Sequence, residues 1–259
     1  MLRKHIKRNI IFIFQTAKLK IMKVVKKAIA FVAIIMGFSA AASAQDGLTV
    51  RVGGTFPVGA FGSGESIDIA LSDPTSEFGG AATGVNAGIK YQLGILGNLG
   101  VFASADVFYN GLKGDIKEDL GGDSENITLP SYLNIPVMVG ANYSIIDLGI
   151  ASLWAEAGAG LNIRSITKSS SSVGSGSFSA SSESAYGIGT TLAWQAGIGA
   201  TLLDCFSVGL HYYGLGAAEV KGDITTTAGL GSLGGELKNE FTAGKINPSM
   251  VVLRVGYTF

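Results

Sequence analysis

From Leu48 to Phe259 the chain reads repeatedly as apolar, polar, apolar, polar. The last segment is the plainest: Val251, Leu253, Val255, Tyr257 and Phe259 share one side, and Val252, Arg254, Gly256 and Thr258 share the other. A period of two marks a β-strand whose two faces meet different surroundings. Seven further segments repeat it, near residues 47–58, 83–94, 99–110, 130–145, 149–163, 185–202 and 205–216. One face of each carries residues such as Val50, Ile89, Val107, Val137, Leu153, Ile198 and Leu210. The opposite face carries Gly, Asn, Ser and Thr with a few charges.

The connections alternate in length. Short ones fall at Leu96-Gly97-Asn98, Ile146-Asp147-Leu148 and Leu203-Asp204, and long ones span roughly residues 59–80, 112–127, 165–184 and 219–245. This predicts an all-β fold: an eight-stranded antiparallel up-and-down transmembrane β-barrel with four long extracellular loops, short periplasmic turns and both termini periplasmic. A soluble eight-stranded barrel alternates equally well but turns its apolar face inward. The polar face separates the two. A surface facing water is normally rich in Lys and Glu, whereas these strands offer five charges among small residues, which suit a narrow lumen. Aromatic residues near strand ends (Phe56, Tyr91, Tyr109, Tyr143, Phe206, Tyr257, Phe259) fit interfacial girdles.

Charge sharpens the picture. The chain has 259 residues with 19 basic and 19 acidic side chains, but nine of the basic ones lie in the first 44 residues, which hold no acid. The remainder carries 10 basic against 19 acidic residues, a net of −9. No basic stripe is left to contact phosphates, so nucleic acid is excluded as a partner. Lys23, Lys26 and Lys27, the apolar run Ala28–Phe38 and Ala42-Ser43-Ala44 read as a secretory signal peptide cleaved before Gln45. Met22 is the expected true start. Residues 1–44 therefore form an N-terminal extension and signal peptide, and residues 45–259 the barrel domain. No Cys follows the cleavage site, so no lipid anchor is expected, and the lone Cys205 excludes a disulfide framework.

Residues 45–259 resemble the outer-membrane β-barrel domain proteins of the Bacteroidetes, which include small OmpA-like and PorT-like members. The resemblance rests on the Ala-Ser-Ala-Gln ending of the signal peptide, on Tyr132-Leu133-Asn134-Ile135-Pro136 and on the ending Val255-Gly256-Tyr257-Thr258-Phe259. It implies an outer-membrane location, contact with outer-membrane lipids and lipopolysaccharide, and reading of Tyr257 and Phe259 by the barrel-assembly machinery as an insertion signal. It also implies an envelope role, with a PorT-like part in protein secretion as an alternative. Unlike full-length OmpA proteins, the chain ends at its last strand.

Candidate chemistry is sparse. With the apolar set facing lipid, Arg51, Lys90, Asp106, Glu156 and Arg254 point inward at similar heights, with Gln195, His211 and Asn142 beside them. One reading is a salt-bridge network that plugs the lumen; the other is a constriction selecting small anions. His211 has no neighbouring Ser in a catalytic arrangement, so no catalytic residue is assigned. No cofactor or metal site is expected either: the acidic loop residues Glu65, Asp68, Asp73, Glu77, Asp115, Glu118, Asp119, Asp123 and Glu125 lack cation-loop spacing. The Ser-rich run 169–177 reads as a flexible tip or an extended polar hairpin. Pro136 lacks an N–H in a wall without edges, which predicts a bulge or irregularity there. The extracellular ligand, if any, is not legible. The function expected is that of a plugged outer-membrane barrel acting through its loops, the alternative being a narrow solute channel.

Overall fold

The computed structural model describes residues 47–63, 79–114, 127–175, 178–230 and 233–259. Eight antiparallel strands close on themselves: β1 (Gly47–Val58), β2 (Gly84–Leu96), β3 (Leu99–Asn110), β5 (Tyr132–Asp147), β6 (Ala151–Ile166), β9 (Gly189–Leu202), β10 (Phe206–Gly214) and β13 (Ser249–Thr258). Each pairs with its neighbour in sequence, and β1 closes the ring against β13 from Thr49↔Thr258 to Val58↔Ser249. The fold is a closed eight-stranded antiparallel barrel. The signal-peptide region and the acidic loop residues from Glu65 to Glu77 and Asp115 to Glu125 lie outside the described residues.

The alternation is realised as an inside-out molecule. Leu48, Val50, Val52, Ile89, Val107, Leu153, Ile198, Leu210, Leu253 and Val255 are exposed on the outer wall, while Thr49, Arg51, Thr55, Asn86, Asp106, Asn134, Glu156 and Gln195 are buried within. Such a wall suits acyl chains rather than water, since soluble proteins rarely expose contiguous apolar patches beyond a few hundred Å². Aromatic residues cluster toward both ends. Phe206, Tyr257 and Phe259 stack edge to face at 5.2 and 4.9 Å at the turn end, and Trp194 lies 5.2 Å from Tyr212 at the other.

The turns are tight. Gly97 supplies a positive φ of 53°, but the turn at Leu203 and Asp204 takes φ values of 52° and 57° without glycine. These two consecutive positive φ angles are the central pair of a turn closed by Cys205 N donating to Leu202 O at 3.3 Å, a geometry whose twist matches that of the flanking strands.

In the last two long connections the hairpin reading of the Ser-rich run is realised, and the connection 219–245, read as a loop, is a hairpin as well. Residues Ser169–Ser175 (β7) and Phe178–Tyr186 (β8) form a hairpin, and Ala218–Leu230 (β11) and Leu233–Ile246 (β12) form another. With the short strand β4 (Ile127–Thr128) they build a five-stranded sheet ordered β12-β11-β8-β7-β4. That order repeats the wall order β13-β10-β9-β6-β5, so the second sheet is the barrel wall prolonged on one side. Backbone hydrogen bonds bridge the junctions: Thr167 N donates to Ser131 O at 2.9 Å, Gly187 N to Lys221 O at 2.9 Å and Leu215 N to Pro248 O at 2.8 Å. At about 3.3 Å per residue, the 14-residue β12 reaches roughly 45 Å.

At Pro136 the expected irregularity takes the form of a gap in pairing, with no bulge. The β3–β5 ladder breaks off after Ala105↔Val137 and resumes at Phe108↔Asn134 in the same register, so the missing N–H interrupts the pairing without shifting it. The register shifts lie elsewhere, at Gly94/Leu96, Ser144/Ile146 and Glu219/Val220.

Candidate functional site

The interior of the barrel is the site that the fold positions. Two carboxylates organise it. Asp106 on β3 accepts two bonds from Arg51 of β1, from Nε at 2.9 Å and Nη2 at 2.7 Å, a bidentate geometry in which charge and planarity both fit. Arg254 of β13 approaches the same carboxylate at 3.5 Å and donates to Tyr213 Oη at 2.9 Å. Glu156 on β6 accepts from Lys90 Nζ at 3.0 Å and Gln195 Nε2 at 3.2 Å, pairs with His211 Nε2 at 3.0 Å, and lies 3.9 Å from Arg51 Nη1. Arg51 thus links the two halves into one network drawn from seven of the eight wall strands. Three Lys or Arg cations face two carboxylates, all of them buried.

Room for these side chains comes from glycine. Arg51 and Asp106 both flank Gly88 in the register, Glu156 and His211 both flank Gly197, and Arg254 lies between Gly53 and Gly209. A Cβ added at Gly88 would sit 2.0 Å from Asp106 Oδ1, and one at Gly197 would sit 2.2 Å from the His211 ring. Large inward residues and glycine therefore alternate around the circumference, which lets an eight-stranded lumen hold arginine.

Aromatic rings pack the layer. Lys90 Nζ lies 5.1 Å from the Trp154 ring centroid and 5.7 Å from that of Phe102, and Arg254 lies 5.1 Å from that of Tyr213. Toward the long loops an apolar cluster fills the lumen: Phe108, Met138, Tyr213, Met250 and Val252, then Phe61, Leu112, Tyr132, Leu215 and Ile246. Phe61 arrives on a short 3-10 turn (Gly59–Phe61) that folds back over the mouth and meets Tyr132 at 5.1 Å. Ala81 N donates to Phe61 O, and Lys113 N to Gly80 O, so the described ends of the first two long connections knit into this cover. At the opposite end a polar vestibule of about 100 Å³, lined by Thr49, Gln92, Asn142, Ser144 and Thr201 among others, runs in as far as Lys90 and Trp154.

No family model matches the chain, and no curated protein matches it. Among solved structures it is similar to Ail, the attachment invasion locus protein of Yersinia pestis, at 18% identity and a TM-score of 0.40, over 83% of this chain and 99% of that one. A major outer membrane protein from Thermus thermophilus shares 13% identity at a TM-score of 0.41, over 82% and 98% of the two chains. The outer membrane protein AlkL shares 14% at 0.38, over 85% and 94%.

Of the residues singled out from the sequence, Arg51, Lys90, Asp106, Glu156 and Arg254 all lie in the lumen network, together with Gln195 and His211. Asn142 lies below it in the vestibule wall. Tyr257 and Phe259 lie on the outer surface at the turn end, and Cys205 is a free thiol in the turn before β10. Sequence reasoning missed Arg164. Its guanidinium is buried and donates to the carbonyls of Ile246 at 3.1 Å and Ala218 at 3.5 Å, where β12 and β11 join the wall. The signal was present, because Arg164 continues the inward parity of Glu156 and Asn162 just past the residue where the alternation was read to end.

Proposed function

We propose that this protein is an outer-membrane barrel with a closed lumen that works outside the membrane, holding its prolonged sheet at the cell surface. The observation that carries this reading is the double closure of the interior, by the Arg51–Asp106–Glu156–Lys90 network and by the apolar cluster above it. Eight-stranded barrels leave an interior that side chains can fill, and aqueous channels belong to barrels of about 16 strands. The apolar wall favours a bilayer, and the export signal read before Gln45 favours the outer membrane. By the usual arrangement, with short turns facing the periplasm, the long sheet faces outward and both termini face the periplasm. Lipid and lipopolysaccharide are the expected surroundings of the wall.

Planar-bilayer recording tests the closed lumen: the protein should give no steady single-channel current, and a large steady conductance overturns the reading in favour of a small-solute channel. N-terminal sequencing of the membrane-extracted protein should begin at Gln45. Tyr257 and Phe259, outward on the last strand, are proposed as the insertion signal for the barrel-assembly machinery. Deleting Phe259 should lower the yield of heat-modifiable barrel; unchanged assembly removes that assignment.

A further inference from the structure

The second sheet has one long edge. Among the described residues β12 pairs only with β11, so every second residue of β12 has an N–H and a C=O with no strand partner among them. Natural proteins blunt such edges with bulges, proline or a covering element. Here the one register shift of the hairpin lies at its base, between Glu219 and Val220, and the stretch from Gly234 to Glu240 is regular and free of proline. It also carries Leu237, which is 71% exposed.

The order of side chains on this edge states a partner. Glu236, Lys238 and Glu240 alternate along one face, with Leu237 and Asn239 on the other, and Gly234 and Gly235 add no bulk. An antiparallel copy of the same strand, centred on Leu237, brings Glu236 opposite Lys238 twice, once on each side of the two-fold axis, and Leu237 opposite Leu237. Opposite charges across a strand pair stabilise it, and like charges destabilise it. A parallel copy at the same height sets Glu236 against Glu236 and Lys238 against Lys238. Lys238 is already poised on its face, 3.0 Å from Asp223 of β11, while Glu236 makes no ion pair among the described residues.

We propose that β12 is a homophilic docking edge that pairs antiparallel with β12 of a second copy of this chain. The inference rests on the sheet standing outside the membrane. The direction of the strands then fixes the geometry. β12 leads into wall strand β13, so an antiparallel copy has its barrel beyond the tip of the sheet, in a facing membrane. Copies in the same membrane present parallel edges, which their charges oppose. The contact is therefore a bridge between two outer membranes. Each contact covers about seven residues per chain and is weak alone, since exposed ion pairs contribute little. Many contacts between two apposed membranes act together, because linkage turns each later pairing into an effectively intramolecular one.

The test uses full-length protein in phosphatidylcholine vesicles carrying either a donor or an acceptor lipid dye, with aggregation read by light scattering and by the proximity of the two dyes. Wild-type vesicles should aggregate, and salt should weaken the effect. Vesicles carrying only K238E set Glu against Glu and should lose aggregation, as should vesicles carrying only E236K, which set Lys against Lys. Mixing the two populations restores both cross-strand pairs and should restore aggregation, with K238E and E236K vesicles adhering to each other and not to themselves. Heat-modifiability of each variant on gels confirms folded barrels. Wild-type vesicles that stay dispersed overturn the proposal. So does aggregation of either single variant at the wild-type level, and so does failure of the mixture to aggregate when both variants are folded. Conductance measured on the same preparations separates this proposal from the closed lumen: dispersed vesicles with no current remove the docking edge alone, and conducting vesicles that still aggregate remove the plug alone.

Discussion

The lumen and the outer sheet use the same ions to opposite effect. In the lumen, Glu156 accepts from Lys90 and Gln195, pairs with His211 and is buried with all three. On the sheet, Lys168 meets Glu183 with both side chains more than half exposed, and Lys221 meets Glu219 at 3.5 Å in similar exposure. Removing one partner inside strands a charge away from water, whereas removing one outside lets water take its place. The difference teaches that the charge pattern of this chain is structural where it is hidden and available for partners where it is wet.

Substitutions sharpen that contrast. Glu156→Ala leaves Lys90 without its carboxylate and Arg51 with Asp106 alone; it should cost about 3–5 kcal/mol, less where vestibule water reaches Lys90. Urea unfolding followed by tryptophan fluorescence, with Trp154 in the same layer, measures it, and an unaltered midpoint breaks the contrast. Gly88→Ala forces a Cβ to 2.0 Å from Asp106 Oδ1 and 2.8 Å from Ala105 O. Overpacking of this kind costs about 1–3 kcal/mol, and the same unfolding curve reads it. Tyr213→Phe removes the hydroxyl that accepts from Arg254, an expected loss of about 1 kcal/mol. Lys168→Ala should change stability by no more than about 0.5 kcal/mol. A cost for Lys168→Ala equal to that of Glu156→Ala would abolish the distinction between the two regions.

The barrel was legible because lipid and lumen write opposite preferences onto alternate residues, as at Leu153, Trp154, Ala155 and Glu156. The sheet was not, for the same reason inverted. Ser170–Ser172 and Gly234–Glu240 are exposed on both faces, so nothing imposes a period of two, and pairing with the neighbouring strands of the second sheet makes them strands. Ser169–Ser175 was foreseen as a hairpin among two readings, and the hairpin from Ala218 to Ile246 was read as loop. The inward direction of the five charges followed from parity, but which ion meets which did not. Asp106 serves Arg51 and Arg254 while Glu156 serves Lys90 and His211, a division set by barrel closure and by the glycines opposite them. Of the bulge or irregularity expected at Pro136, the irregularity is what forms: the local pairing gives way while the register on either side is held by alternation on both faces.

The continuation of the wall strands into the second sheet, with backbone hydrogen bonds at the junctions, has a mechanical consequence. A pull on the tip of β11 or β12, directed away from the membrane, runs along the strands and loads the flanking hydrogen bonds in shear, so many must fail together. A pull across the strands would open them one at a time. Arg164, bonded to the carbonyls of Ile246 and Ala218 where the two strands leave the barrel, holds the point at which that tension passes into the wall.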